Sequence, residues 1–153
     1  EDHLSTIFNE VRLKKFIEVR GADAGTWRRT CALPAFWVGI LYDLKSLEGS
    51  LEICKKWTYE EVALLSKDVA VHGLKAKIKN NVIYDIAKEL LVLSREGLKN
   101  RALLDDNGKD ETIYLNVLEE ILFSNKTPAE ELLEKFDSTW GSSMEKMIKG
   151  LSY

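Results

Sequence analysis

The strongest constraint on the fold is one alternating segment at residues 11–20, because the patterns that follow it are almost all helical. Apolar and charged residues alternate here with a period of two, which predicts a β-strand with one apolar and one charged face. A single strand cannot satisfy the hydrogen bonds of its own edges, so we expect a sheet from a longer chain to complete it. The apolar positions are Val11, Leu13, Ile17 and Val19, and the charged positions are Arg12, Lys14, Glu18 and Arg20.

The first half of the remaining sequence predicts three helices. Residues 32–42 are apolar on all sides, which indicates a buried helix with Pro34 in its first turn. Residues 44–56 predict a second helix. Thr58 followed by Glu61 is a capping-box pattern, in which the threonine side chain and the glutamate side chain each accept a backbone N–H at the start of a helix. This pattern predicts that a third helix begins at Thr58.

The second half predicts one loop, one turn and further helices. Residues 69–81 contain Gly73 and have no clear period, so we expect a loop there before a long amphipathic helix at residues 82–98. Residues 105–110 predict an exposed turn, and helices follow at residues 111–123 and at the end of the chain. Between them, Thr127 as N-cap, Pro128 at the first helical position and Glu130 at the third predict another helix start. The predicted fold class is therefore mainly α, with one N-terminal β-strand.

Composition excludes several kinds of partner. The chain has 22 basic and 25 acidic residues, a formal net charge of −3 and no block of like charges, so we expect no nucleic-acid partner. No apolar run approaches the roughly 20 residues that cross a bilayer, and no targeting segment is recognisable, so we expect a cytoplasmic protein without a membrane partner. Cys31 and Cys54 fit free, largely buried thiols in a reducing compartment.

Glu18 and Arg20 are the first candidates for chemistry. They lie two residues apart on the predicted strand, which places both side chains on one face with Cα atoms roughly 7 Å apart. A carboxylate can bind Mg²⁺, and a neighbouring guanidinium can donate two hydrogen bonds to a phosphate or carboxylate group, so the pair suits phosphoryl transfer. Taken alone, however, the Glu-x-Arg pattern favours a salt-bridged polar face of an edge strand.

Other candidate positions are weaker. Arg12 lies on the same charged face further back, where it adds positive charge. Arg28 can clamp an anionic substrate group together with Arg29, although a basic pair at this place favours a solvated helix start. His3 and His72 have no partner at metal-ligand spacing, and the common nucleotide-binding, hydrolase and metalloprotease motifs are absent from the sequence. The residues alone therefore indicate a mostly helical domain with one charged strand.

Two long motifs resemble a known family. EVRLKKFIEVRGAD at residues 10–23 and WRRTCALPAFWVGILYD at residues 27–43 are similar to the plant and proteobacterial glutamate-cysteine ligases. Shorter matches follow in the same order: HGLK at residues 72–75, KTPAE at residues 126–130 and WGS at residues 140–142. The chain departs from the family at Asn9, where members carry proline, and at residues 24–26, where they carry Gly-Gly-Pro.

The resemblance implies the C-terminal part of an α+β catalytic domain of the glutamine-synthetase-like type. Residues 1–153 would be one portion of that domain, with residues 1–30 holding a helix end, the active-site strand and its loop, and residues 31–153 the helical part. The missing N-terminal part of the same enzyme would be a partner, and the chain alone would be inactive. The implied reaction uses ATP to ligate the γ-carboxylate of glutamate to cysteine through an acyl phosphate, in the first step of glutathione synthesis.

The resemblance also implies roles for individual residues. Glu18 would bind Mg²⁺, Arg20 would be the catalytic contact to the transferred phosphoryl group, and Arg12 and Arg28 would bind substrate or phosphate. Two alternatives remain open: a related carboxylate-amine ligase with another amine acceptor, such as the enzyme that forms γ-glutamylcysteine in ergothioneine synthesis, and a non-catalytic helical interaction domain.

Overall fold

The computed structural model describes residues 10–152, which are mostly helical with two small antiparallel sheets. The helix end expected before the first strand lies outside these residues. The strands are β1 (Val11–Leu13), β2 (Ile17–Val19), β3 (Lys77–Ile78) and β4 (Asn81–Val82). The α-helices are α1 (Trp27–Leu41), α2 (Leu44–Cys54), α3 (Tyr59–His72), α4 (Ile83–Arg101), α5 (Asn116–Ser124), α6 (Pro128–Asp137) and α7 (Met144–Leu151). The mainly helical prediction is confirmed.

The N-terminal alternating segment is a hairpin, and the prediction of one continuous strand is wrong. β1 and β2 pair antiparallel around a turn at residues 14–16, with Val11 opposite Val19 and Arg12 opposite Glu18. Because paired residues in an antiparallel sheet project to the same face, the predicted separation into an apolar and a charged face is retained. A backbone hydrogen bond from Arg20 N to Glu10 O, at 2.8 Å, continues the pairing past β2.

Helix α1 begins five residues before its predicted start, at Trp27. Pro34 therefore lies inside the helix and not in its first turn, which corrects the prediction. Proline lacks a backbone N–H, so the helix gives up one internal hydrogen bond at this position. Burial is concentrated on one face, which carries Ala32, Ala35, Gly39 and Ile40.

The capping box at the start of α3 is confirmed. Thr58 accepts a hydrogen bond from Glu61 N at 3.3 Å, and Glu61 Oε2 accepts one from Thr58 N at 2.9 Å. The predicted loop at residues 69–81 is wrong in part, since α3 continues to His72 and a short 3₁₀ helix and the β3–β4 hairpin follow. Gly73 ends α3 at a φ of 53°, a backbone angle that favours glycine.

The remaining predictions hold with shifted boundaries. The long amphipathic helix is α4, and the expected turn follows it, held by Asp105 Oδ1, which accepts hydrogen bonds from Asn107 N and Lys109 N. The helix predicted from residue 111 starts as a 3₁₀ helix, Glu111–Leu115, before α5. The predicted N-cap at Thr127 is present and opens α6.

The core forms around the crossing of α1 and α4. Ala35, Leu91, Leu98 and Leu115 are buried against one another, and Phe36, Val38, Leu118 and Leu122 pack around them. Ser94 of α4 is fully buried and donates a hydrogen bond from Oγ to Phe36 O at 2.9 Å. The loop after β2 leads directly into α1. Because α1 is packed in the core, the helix next to the charged hairpin has a fixed position. No helix in residues 10–152 is long and apolar enough to cross a membrane.

Candidate active site

The charged face of the β1–β2 hairpin is built around Arg12 and Glu18. The register places them directly opposite each other, and Arg12 Nε donates a hydrogen bond to Glu18 Oε2 at 2.7 Å. Lys14 Nζ lies 4.0 Å from the same oxygen. The Arg12 side chain is 12% exposed and that of Glu18 is 31% exposed, so the carboxylate is the more accessible partner. The structure thus brings Arg12 to Glu18, a contact that a straight strand does not allow.

This surrounding positive charge keeps Glu18 ionised. The hydrogen bond from Arg12 is the main cause that lowers the pKa of the Glu18 carboxyl below its usual 4.5, and partial desolvation opposes it. The charges of Arg12, Lys14 and Arg20 lower the same pKa further. These neighbouring charges favour the carboxylate form of Glu18 over the protonated form.

Arg20 follows β2 directly and belongs to the same electrostatic environment. Its side chain is half-buried, and its charge acts on Glu18. The predicted proximity of these two residues is therefore consistent with the hairpin, while the phosphoryl contact assigned to Arg20 stays a prediction.

Arg28 lies in the first turn of α1 and pairs with a residue 92 positions away. Its Nη1 and Nη2 atoms donate hydrogen bonds to the two carboxylate oxygens of Glu120 in α5, at 3.1 and 2.6 Å. The pair raises the pKa of Arg28 and lowers that of Glu120, because each charge stabilises the other. Glu120 was not predicted from the sequence, because no local pattern links it to Arg28. The neighbouring Arg29 contacts Glu131 of α6 at 3.3 Å.

The apolar face of the hairpin borders a groove of about 880 Å³. The groove is lined on its other sides by α1, α5 and the start of α6, and its apolar lining includes Val11, Val19, Leu33, Phe36, Trp37 and Ile121. Further along the same face of the hairpin, Leu13 and Ile17 are 74% and 57% exposed. Part of the apolar face therefore remains uncovered by residues 10–152.

The cysteines and the histidine add no further site. Both cysteines are free thiols, but Cys54 is exposed at the end of α2, so the expectation that both are largely buried is wrong for Cys54. His72 Nε2 lies 3.6 Å from Asp68 Oδ1, one helical turn earlier. Among the described residues, no group of three or more histidine, cysteine, aspartate or glutamate side chains is arranged to hold a metal ion. His3 lies outside those residues.

The fold and this hairpin define the chain as a mainly helical segment that carries a charged antiparallel pair of strands. Residues 1–150 match the family model of glutamate-cysteine ligase family 2, and the chain belongs to that family. It is 44% identical to the chloroplastic glutamate-cysteine ligase of Arabidopsis thaliana and 45% identical to that of Nicotiana tabacum, over all 153 residues and 28% of each relative. It is also 44% identical to the chloroplastic glutamate-cysteine ligase A of Oryza sativa subsp. indica, over 30% of that protein.

These comparisons correct the expected location. The relatives are named as chloroplastic proteins, which overturns the cytoplasmic prediction. That prediction relied on the first residues of a chain that spans less than a third of its relatives, and such residues carry no information about a leader.

Proposed function

We propose that this chain is the C-terminal part of an ATP-dependent ligase that joins the γ-carboxylate of L-glutamate to the amine of L-cysteine, the first step of glutathione synthesis. The observation that carries the proposal is the 44–45% identity, over the whole chain, to relatives named glutamate-cysteine ligase. The names of the relatives also support a chloroplast as the place of action.

In the proposed reaction, a glutamate γ-carboxylate oxygen attacks the γ-phosphorus of ATP, and ADP leaves. The cysteine amine then attacks the acyl carbon and loses a proton to solvent, an amide forms, and phosphate leaves with the electrons of the broken C–O bond. Nucleophile, nucleotide and acyl phosphate are all anionic, so cationic groups fixed in advance would supply much of the rate enhancement. The described chain contributes Arg20 and Arg28 as such groups, with Arg20 on the transferred phosphoryl group and Arg28 on an anionic substrate group.

Glu18 is the proposed ligand for Mg²⁺. Proteins usually bind this ion through one or two carboxylates together with substrate phosphates. One carboxylate ligand from this chain, that of Glu18, therefore fits such a site. The other ligands would come from ATP and from the rest of a longer chain. When bound, Mg²⁺ would neutralise charge on the phosphates.

The rest of the catalytic domain would complete the hairpin. The exposed side chains of Leu13 and Ile17 and the two-stranded sheet support a proposal in which further strands of a glutamine-synthetase-like sheet cover this face. Because the chain spans 28% of its relatives, we expect residues 1–153 alone to be inactive.

The test is ADP release by the full-length parent protein with Mg-ATP and glutamate, with and without cysteine. We expect cysteine to stimulate release and Glu18→Gln to abolish it without a change in Tm. Glu145→Gln, on the exposed surface of α7, is the matched control and keeps activity. If a different amine stimulates ADP release and cysteine does not, that amine is the acceptor. If no amino acid stimulates release, the chain belongs to an interaction domain and not to a ligase.

A further inference from the structure

We propose that Arg12 is a positioning residue, which fixes the carboxylate of Glu18 for a divalent cation and makes no contact with substrate. The inference rests on the proposed function, in which Glu18 binds the metal ion. It replaces the direct substrate or phosphate contact that the family resemblance implies for Arg12.

The hairpin register is the first argument. Arg12 and Glu18 are paired across two antiparallel strands, so their backbones are fixed relative to each other by the strand pairing itself. The 2.7 Å bond runs from the Nε atom, which is part of a planar and delocalised group. A bond from Nε therefore sets the direction of the carboxylate as well as its distance.

Burial is the second argument. Arg12 is only 12% exposed, whereas Glu18 is 31% exposed. A group that binds substrate phosphate has to be reached by the substrate, but here the carboxylate is the more accessible member of the pair. Arg12 and Lys14 both approach Oε2. We therefore assign Oε1 as the atom that a cation would bind.

The chemistry predicts the direction of the effect. Hydrogen-bonded partners of metal ligands orient them, and their removal typically lowers metal affinity by about 10- to 100-fold. Lysine keeps the positive charge but lacks the planar Nε–H, so it would restore the orientation only in part. Lys14, 4.0 Å from the same oxygen, supplies charge without a directed hydrogen bond.

The test measures Mn²⁺ binding by the full-length parent protein, followed through the electron paramagnetic resonance signal of the free ion. We expect Arg12→Met to lower Mn²⁺ affinity by at least tenfold, and Arg12→Lys by a smaller factor. Lys15→Met, at an exposed position of the same turn, is the matched control and should change affinity by no more than about twofold. At saturating metal, the KM for ATP should stay the same in the Arg12 variants.

Each other outcome has a definite meaning. Unchanged or increased Mn²⁺ affinity in both Arg12 variants, while Glu18→Gln loses binding, overturns the positioning role alone. If the Arg12 variants have a raised KM for ATP and unchanged Mn²⁺ affinity, Arg12 binds the substrate directly and is not a positioning residue. If Glu18→Gln binds Mn²⁺ as the unaltered protein does, the metal role of Glu18 fails, and the role of Arg12 fails with it. The Tm of each variant shows whether it is folded.

Discussion

Gly97 of α4 faces the backbone carbonyl of Gly39 in α1, and a methyl group at either glycine would overlap backbone atoms of the opposite helix. At Gly97 the overlap would be with the carbonyl oxygen of Gly39, and at Gly39 it would be with the carbonyl oxygen of Ser94. Small residues therefore allow the two central helices to approach closely, and the position of α1 depends on that approach.

The first prediction is that Gly39→Ala and Gly97→Ala each destabilise the chain by about 1–3 kcal/mol or more, because a packed core has to move to admit the methyl group. This loss exceeds the gain that alanine normally brings inside a helix. Urea unfolding measures it. Gly49→Ala in α2 is the control, since the added methyl would meet the flexible Leu93 side chain at 3.0 Å, and its stability should change little. Alanine variants as stable as the unaltered chain would contradict the close approach.

The hairpin shows where sequence reasoning is limited. Leu13 and Ile17 lie on opposite strands with three residues between them. Their positions differ by an even number, so both remain in phase with Val11 and Val19. The period-two pattern therefore resumes in the same phase after the turn, and residues 14–16 contain no glycine or proline to mark it. The break at Lys15 and Phe16, where the alternation is reversed, was the one local signal of the turn. The two faces were predictable from the alternation, but the pairing of Arg12 with Glu18 was not.

Elsewhere in the fold, too, features set by neighbouring residues were predicted, whereas contacts between residues distant in sequence were not. The capping box at Thr58 and the N-cap at Thr127 were predicted because all their groups lie within four residues. The start of α1 was missed because residues 27–31 are largely polar and its N-cap, Thr26, makes no side-chain hydrogen bond. The partner of Arg28 depends on how α1 packs near α5, which no local pattern encodes.

The second prediction concerns the N-cap of α6. Thr127 Oγ1 accepts a hydrogen bond from Glu130 N at 3.2 Å, so Thr127→Ala leaves a backbone N–H without its acceptor. We expect a loss of about 1 kcal/mol in the free energy of unfolding. Thr127→Ser keeps the hydroxyl oxygen and should retain most of the stability. Denaturant unfolding of the three proteins compares them, and equal losses in both variants would argue against a capping role.

The third prediction is a pH dependence at Asp43, which caps α2. Hydrogen bonds from Asn100 Nδ2 and Ser46 N lower the pKa of Asp43 below its usual 3.8. A lowered folded-state pKa stabilises the fold above the unfolded value, and this contribution is lost as pH falls through the lower folded value. The Tm should therefore fall below about pH 4.

The control for this prediction is Asp43→Asn, which keeps an oxygen acceptor but does not titrate. Other carboxyls with lowered pKa values, such as those of Glu61 and Glu130, still titrate in this variant. The variant should therefore show a shallower decrease in Tm between pH 4 and pH 2 than the unaltered chain. Identical slopes would show that Asp43 makes no such contribution.

The fourth prediction tests whether Glu120 holds Arg28 ready for an anionic substrate. The guanidinium has five N–H donors, and two of them bind Glu120, so three remain for a ligand. In the full-length parent protein, Arg28→Met should raise the KM for one anionic substrate at least tenfold. Glu120→Gln should raise the same KM by a smaller factor, because Arg28 keeps its charge but loses part of its orientation. A lower KM in Glu120→Gln would mean that Glu120 competes with the substrate for Arg28, and an unchanged KM in Arg28→Met would remove Arg28 from the substrate site.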